Sequence, residues 1–331
     1  MEPSTLTTKR HRRWQRAALI LVVVVILGTA ASAVVATDTL GAGHLWERAV
    51  AKVDRFLAGP VPDRSAPATV LVTTDPGASD EPDVDPDASP SDAPPSASAS
   101  PLAVGSAAPT IVPTPAATVR PTPGRRPVDV DVVKNDKAVF AHEIKDTWCA
   151  SAGVQIVLAI LGHGDNSSAR QRELQSRVHE WESYKDSHNG DWGPSAMSLA
   201  LADYGVPGYQ VRAYTTRQGA LRDAAKAIEK TGSPVMLMAW RGAHTWIMSG
   251  FRADADPAIF SNAKVTGAYI LDPWYPDVSS IWGPSDPPGT FQNYAEMIRN
   301  FLPWKRPEGK YPSRDGLYIT VLPTIRVNPP G

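Results

Sequence analysis

Cys149 is the only cysteine in a chain of 331 residues. It stands in the stretch Asp146-Thr147-Trp148-Cys149-Ala150-Ser151-Ala152-Gly153-Val154-Gln155-Ile156-Val157-Leu158. Apolar residues at Ala152, Ile156, Val157, Ile160 and Leu161 predict a buried helix, with Asp146 or Thr147 as its N-cap. The thiol then falls in the first turn, where the macrodipole presents partial positive charge. A thiolate, the nucleophilic form, is favoured there. A lone buried cysteine also serves as a small core residue, so this stretch by itself leaves both roles open. His244 opens an apolar strand after the small pair Gly242-Ala243, where an imidazole can approach a thiol as its general base. Asp272 ends another apolar strand, before Pro273, where a carboxylate can accept from the second ring nitrogen and hold the tautomer. Each of the two has a structural alternative, as a strand histidine or as a turn aspartate.

The elements that must position these residues begin near Val128, where the composition turns globular. All of the tryptophans except Trp14 and Trp46 lie beyond that point. Periodicity and caps predict a strand over 128–133, helices over 148–161, 168–182 and 194–204, a strand over 209–214 and a helix over 216–230. Strands over 235–240, 244–251 and 265–271 follow, then a helix over 291–301 and a last strand over 317–322. Helices dominate the first half of this region and strands the second. That order predicts an α+β domain, residues 128–331, with a helical layer packed on a mostly antiparallel sheet.

The residues before it differ in composition. Residues 1–16 carry Lys9, Arg10, Arg12, Arg13 and Arg16. The uncharged apolar run over 17–37 is long enough to cross a bilayer, and its basic flank predicts a cytoplasmic start with everything later outside. The competing expectation is a signal peptide cleaved near Ala33, at Ala31-Ser32-Ala33. Residues 38–59 space Leu45, Trp46, Val50, Val53, Phe56 and Leu57 as a short amphipathic helix, lying on the membrane surface or docked on the folded domain. Residues 60–127 are rich in Pro, Ala, Ser and Asp, have no periodic apolar face, and predict a disordered linker. A formal net charge of -1 gives no reason to expect nucleic acid as a partner.

Taken together, Trp148-Cys149-Ala150-x-Ala152-x-x-Gln155, Ala243-His244-Thr245-Trp246-Ile247-Met248 and Leu271-Asp272-Pro273-Trp274 resemble the papain-like cysteine peptidases, and within them the bacteriocin-processing (double-glycine leader) peptidase-like branch. The resemblance covers residues 140–322. It implies the papain-like fold, no cofactor, and a triad of Cys149 as nucleophile, His244 as base and acid, and Asp272 as the orienting residue. The implied substrate is a peptide, a protein or a cell-wall peptide. The sequence departs from the family pattern in two places. Glu143 occupies the position, six residues before the cysteine, where the family has an oxyanion glutamine. An ionised carboxylate there would repel a developing oxyanion. Ala150-Ser151 also replace the common Gly-Pro. A degenerate peptidase fold that binds wall polymer or a protein partner is therefore the alternative. Trp148 and Trp192 are candidates for the substrate cleft. His179, His188 and Asp191 lack the spacing of a metal site, and no metal is expected.

Overall fold

The computed structural model describes residues 67–72, 124–186, 192–305 and 311–329, with isolated positions between 49 and 61. Among them the backbone builds an eight-stranded sheet. In chain order its strands are β1 (Val70–Val72), β2 (Val128–Asp131), β3 (Tyr209–Tyr214), β4 (Val235–Ala239), β5 (His244–Ala253) and β6 (Val265–Leu271). A small ribbon of β7 (Val278–Ser279) and β8 (Gly283–Pro284) precedes the last two, β9 (Thr290–Asn293) and β10 (Tyr318–Pro323). The order across the sheet is β1-β3-β10-β4-β5-β6-β9, and β2 pairs with the far half of β5. Every pairing is antiparallel except that of β1 with β3.

Six helices accompany the described strands: α1 (Asp136–Val139), α2 (Cys149–Ile160), α3 (Ser168–Ser176), α4 (Pro194–Asp203), α5 (Arg217–Thr231) and α6 (Tyr294–Asn300). They cover both faces of the sheet, where the sequence predicts a single helical layer. The reason is visible in β4. Met236 and Met238 face α2, α3 and α4 in one core. Val235, Leu237 and Ala239 face α5 and α6 in the other. A strand apolar on both alternations needs cover on both sides.

α2 is the most enclosed helix. Every residue from Ala150 to Leu158 is buried, as expected of a helix apolar on all sides and surrounded by protein. It approaches β5 closely at Gly153. A Cβ there would lie 2.9 Å from Cγ2 of Thr245 and 3.3 Å from Cδ1 of Ile247. Its two buried polar side chains are satisfied. Ser151 Oγ donates to the Trp148 carbonyl at 2.9 Å, and the Gln155 amide donates to the carbonyls of Asp165 and Ser167 at 3.0 and 2.7 Å.

Several predicted boundaries move. The N-cap of α2 is Trp148, with no side-chain cap bond, and neither Asp146 nor Thr147 takes that role. The helix predicted over 168–182 ends at Ser176, and a separate 3-10 turn follows over Val178–Glu180. The start of the helix predicted over 291–301 is strand instead. Residues 290–293 pair with β6, and the Asn293 side chain then caps α6 in a capping box with Glu296.

Within the stretch assigned to the linker, residues 70–72 form β1 and lie parallel on β3. The Ser195 hydroxyl donates to the Pro67 carbonyl at 3.1 Å just before it. In the predicted juxtamembrane helix, the described positions are helical and Val53, Phe56 and Leu57 are exposed. The basic tail and the apolar run over 17–37 lie outside the described residues. Among the described residues no helix is long and apolar enough to cross a membrane.

The close approach at Gly153 sets a test. A branched side chain there must push α2 off β5. Gly153→Val is expected to destabilise the protein by about 1–3 kcal/mol, read from the midpoint of urea unfolding. An unchanged midpoint would mean that the contact yields without cost.

Candidate active site

His244 is the first residue of β5 and Asp272 directly follows β6. Leu271 is the register partner of Ile247, which places Asp272 across from Trp246. His244 is then a diagonal neighbour on the same face of the sheet, within reach of a side-chain bond. The bond forms: His244 Nε2 and Asp272 Oδ1 are 2.6 Å apart. The same carboxylate oxygen accepts the Trp274 amide at 2.9 Å. Both side chains are almost fully buried, at 2 and 7 % exposure. With Nε2 engaged as a donor, Nδ1 is the ring nitrogen available to a third group.

The imidazole is also held by aromatic rings. Trp240 stacks on it, with centroids 4.0 Å apart and planes 19° from parallel. Trp274 stands edge-on at 6.3 Å. The Trp240 indole donates to Asn300 Oδ1 at 3.2 Å. The turn between β4 and β5 is conformationally costly. Trp240 and Arg241 have φ of 51° and 61°, and Gly242 follows at 86°. Left-handed non-glycine residues cost about 1–3 kcal/mol each, and persist where surrounding structure over-determines them. Here Trp304 packs against Gly242, where a Cβ would fall 2.4 Å from its ring, and the Lys305 amide donates to the Arg241 carbonyl at 3.0 Å.

Cys149 is the first residue of α2 and is partly exposed. The first N–H groups of a helix have no intrahelical acceptor, and the N-cap residue here, Trp148, makes no side-chain cap bond. Residues 142–144 link the loop after Asp272 to α2 and α3. The Glu143 amide donates to the Pro273 carbonyl at 3.0 Å. Gln171 of α3 grips both sides of Glu143, accepting the Ile144 amide at 2.7 Å and donating to the His142 carbonyl at 2.9 Å. Gln171 also donates to Gln155 of α2 at 3.1 Å. One network of buried amides thus ties α2, α3 and residues 142–144 together.

Glu143 itself is 2 % exposed, and neither of its carboxyl oxygens has a hydrogen-bond partner among the described residues. Its pKa is raised well above the ordinary carboxylate range. Burial is the main cause, followed by the nearby charges of Asp272, Asp146 and Asp277, while the Trp148 amide acts in the opposite direction. The Glu143 backbone is bonded to Pro273, the residue after Asp272. Burial and like charges favour the neutral form of an acid, and a neutral carboxyl group is a hydrogen-bond donor.

The other candidates separate. Trp148 sits at the start of α2 with Lys145 Nζ 5.3 Å from the centre of its ring. Trp192 belongs to the core and not to a cleft: it is buried, packs on Trp181 at 5.2 Å and donates to Gln175 Oε1 at 3.0 Å. His179 pairs with the buried Glu182 at 2.7 Å. His188 and Asp191 lie outside the described residues. Sequence reasoning missed Gln171 and Trp240. Gln171 carries no local signal, since its partners are distant in the chain. Trp240 stands just before Gly242-Ala243-His244, and that proximity was the available clue.

No family model matches the chain, and no curated protein matches it. A solved structure that it matches is a double glycine motif protease from an AMS/PCAT transporter, in complex with the leader peptide. The identity is 16 %, the match covers 60 % of this chain and 99 % of that one, and the TM-score is 0.30. A likeness at that level carries no argument about what this chain does.

Two measurements test the site. Asp272→Ala removes the acceptor of the buried His244 Nε2–H, and a loss of about 1–3 kcal/mol is expected in urea unfolding. The sign for Glu143 follows from linkage. The folded state holds the proton to higher pH than the unfolded state does, so stability falls as pH rises from the ordinary glutamate range through the raised folded value. Glu143→Gln should remove that decline. Coincident stability–pH profiles for the two proteins would show that Glu143 is not the group responsible.

Proposed function

We propose that the protein is a cysteine-type hydrolase of peptide or related amide bonds, built on a papain-like arrangement. Cys149 is the nucleophile, His244 the base and acid, and Asp272 the orienting residue. The observation that carries this reading is the buried His244–Asp272 bond. It leaves Nδ1 of a clamped imidazole for a thiol, and residues 142–144 are bonded both to the loop after Asp272 and, through Gln171, to the helix that bears Cys149. The thiolate attacks the carbonyl carbon, the first-turn N–H groups of α2 stabilise the oxyanion, and His244 gives its proton to the departing amine. Water, deprotonated by His244, then hydrolyses the thioester and restores the thiol.

In this proposal the domain is held outside the cell membrane. The basic residues 9–16 and the apolar run over 17–37 support single-pass anchoring. Secretion after cleavage near Ala33 is the other route to the same compartment. The substrate is a peptide, a protein or a cell-wall peptide. The acid at position 143 favours a second reading, a degenerate module that binds wall polymer or a partner without chemistry.

Alkylation by iodoacetamide at neutral pH separates the two. In an enzyme, Cys149 reacts far faster than a model thiol. Turnover of peptide libraries or wall fragments disappears in Cys149→Ala and falls by about 10²–10⁴-fold in His244→Ala. A thiol that reacts only after unfolding would favour the binding module.

A further inference from the structure

Glu143 is a buried acid at this site whose backbone is fixed while its carboxyl oxygens make no hydrogen bond of good geometry among the described residues. The backbone on either side of it is engaged by Pro273 and Gln171. The residue is 2 % exposed, with both carboxyl oxygens buried and unpartnered among the described residues. The groups facing it are Asp272 and Asp277 from the loop after β6 and Asp146 from its own segment. All three are acidic. Lys145 stands over the Trp148 ring, and His142 Nε2 lies 3.8 Å from Asp277. The titratable groups on the adjoining elements are Cys149 on α2 and His244 on β5. A buried polar group without a partner calls for an explanation. At the start of a helix that bears a nucleophile, a reacting oxygen is a partner that arrives only with substrate.

We propose that Glu143 acts as a neutral carboxylic acid whose O–H donates a hydrogen bond to the oxyanion formed at Cys149. The inference rests on the hydrolase reading above. As the sulfur–carbon bond forms, the carbonyl π pair moves onto oxygen. Glu143 keeps its proton and shares it as a donor. When the tetrahedral intermediate collapses, the pair returns to the carbonyl, the carbon–nitrogen bond breaks, and the amine leaves with the proton held by His244. A buried acid thus does the work of an amide donor, but only while it stays protonated. Burial and the three facing carboxylates keep it so. As pH rises Glu143 ionises, and its donor becomes an anion beside the oxyanion, so activity gains an upper pH limit set by this residue.

The test compares two reactions of the full-length chain in detergent. Alkylation by iodoacetamide needs the activated thiol but forms no oxyanion. Acylation by p-nitrophenyl acetate needs both. In Glu143→Ala, alkylation should be unchanged and acylation should fall by about 10²–10³-fold. In the isosteric Glu143→Gln, acylation should persist and its decline at high pH should move upward. Acylation at the wild-type rate in Glu143→Ala, with alkylation intact, overturns the proposal. Superposable pH profiles for wild type and Glu143→Gln also overturn it, and this arm decides the matter should the alanine variant not fold. If Cys149 of the wild type alkylates no faster than a model thiol, the hydrolase reading itself fails and takes the inference with it.

Discussion

The seating of α2 on β5 is the constraint on which the rest of the structure depends. The helix is apolar on all sides, so it must lie between the sheet and the two helices above it. It can approach the sheet this closely only because position 153 has no side chain beyond hydrogen. Fully burying each large aliphatic side chain contributes about 1.5–3 kcal/mol, and α2 carries Val154, Ile156, Val157 and Leu158 with none of them exposed. That burial fixes the first turn, and hence Cys149, on a rigid element. Catalytic geometry held by a packed helix is more exact than geometry held by a loop.

The histidine is fixed by a different means. It sits at a strand start next to a turn of left-handed residues, where flexibility would be expected. Packing of Trp304 and the stacked Trp240 remove that freedom. The Asp272 carboxylate then sets the ring's rotation and tautomer, and is itself aimed by the Trp274 amide. The unfavourable backbone of residues 240–242 is held by the surrounding core, as is common where side chains must be aimed. Glu143 is positioned in a third way, through its backbone, by the side-chain amide of Gln171 on its neighbours and the Pro273 carbonyl on its own amide. Thiol, imidazole and acid thus owe their places to packing, stacking and hydrogen bonding respectively.

Much of the fold was legible in the sequence, and the failures have specific causes. The strands β3, β4, β5 and β6 and the helices α2, α4 and α5 lie where periodicity and caps predicted them, within a few residues. The α2 N-cap was misplaced because a capping side chain is only a local preference, and here the chain enters the helix through a turn in which the Trp148 amide donates to the Lys145 carbonyl. The start of α6 was read as helix because strand pairing with β6 is non-local. Cover on both sheet faces was latent in the continuous apolar runs of β4 and β5, but which helices supply it depends on topology. Trp192 looked like a cleft residue because a loop tryptophan and a core tryptophan have the same local signature. Its partners, Trp181 and Gln175, are brought to it only by folding.

What the sequence by itself determined is the inventory: one thiol at a helix start, a histidine opening one apolar strand, an aspartate closing another, and an acid six residues before the thiol. These follow from residue type, period and punctuation, which are properties of short stretches. Only the tertiary structure decided that His244 and Asp272 share a bond, because strand register is set by pairing across the sheet and not by either strand alone. Only the tertiary structure decided the state of Glu143. A carboxyl group's charge depends on its solvation and its neighbours. Here those are burial and three other carboxylates, two of them more than a hundred residues away in the chain.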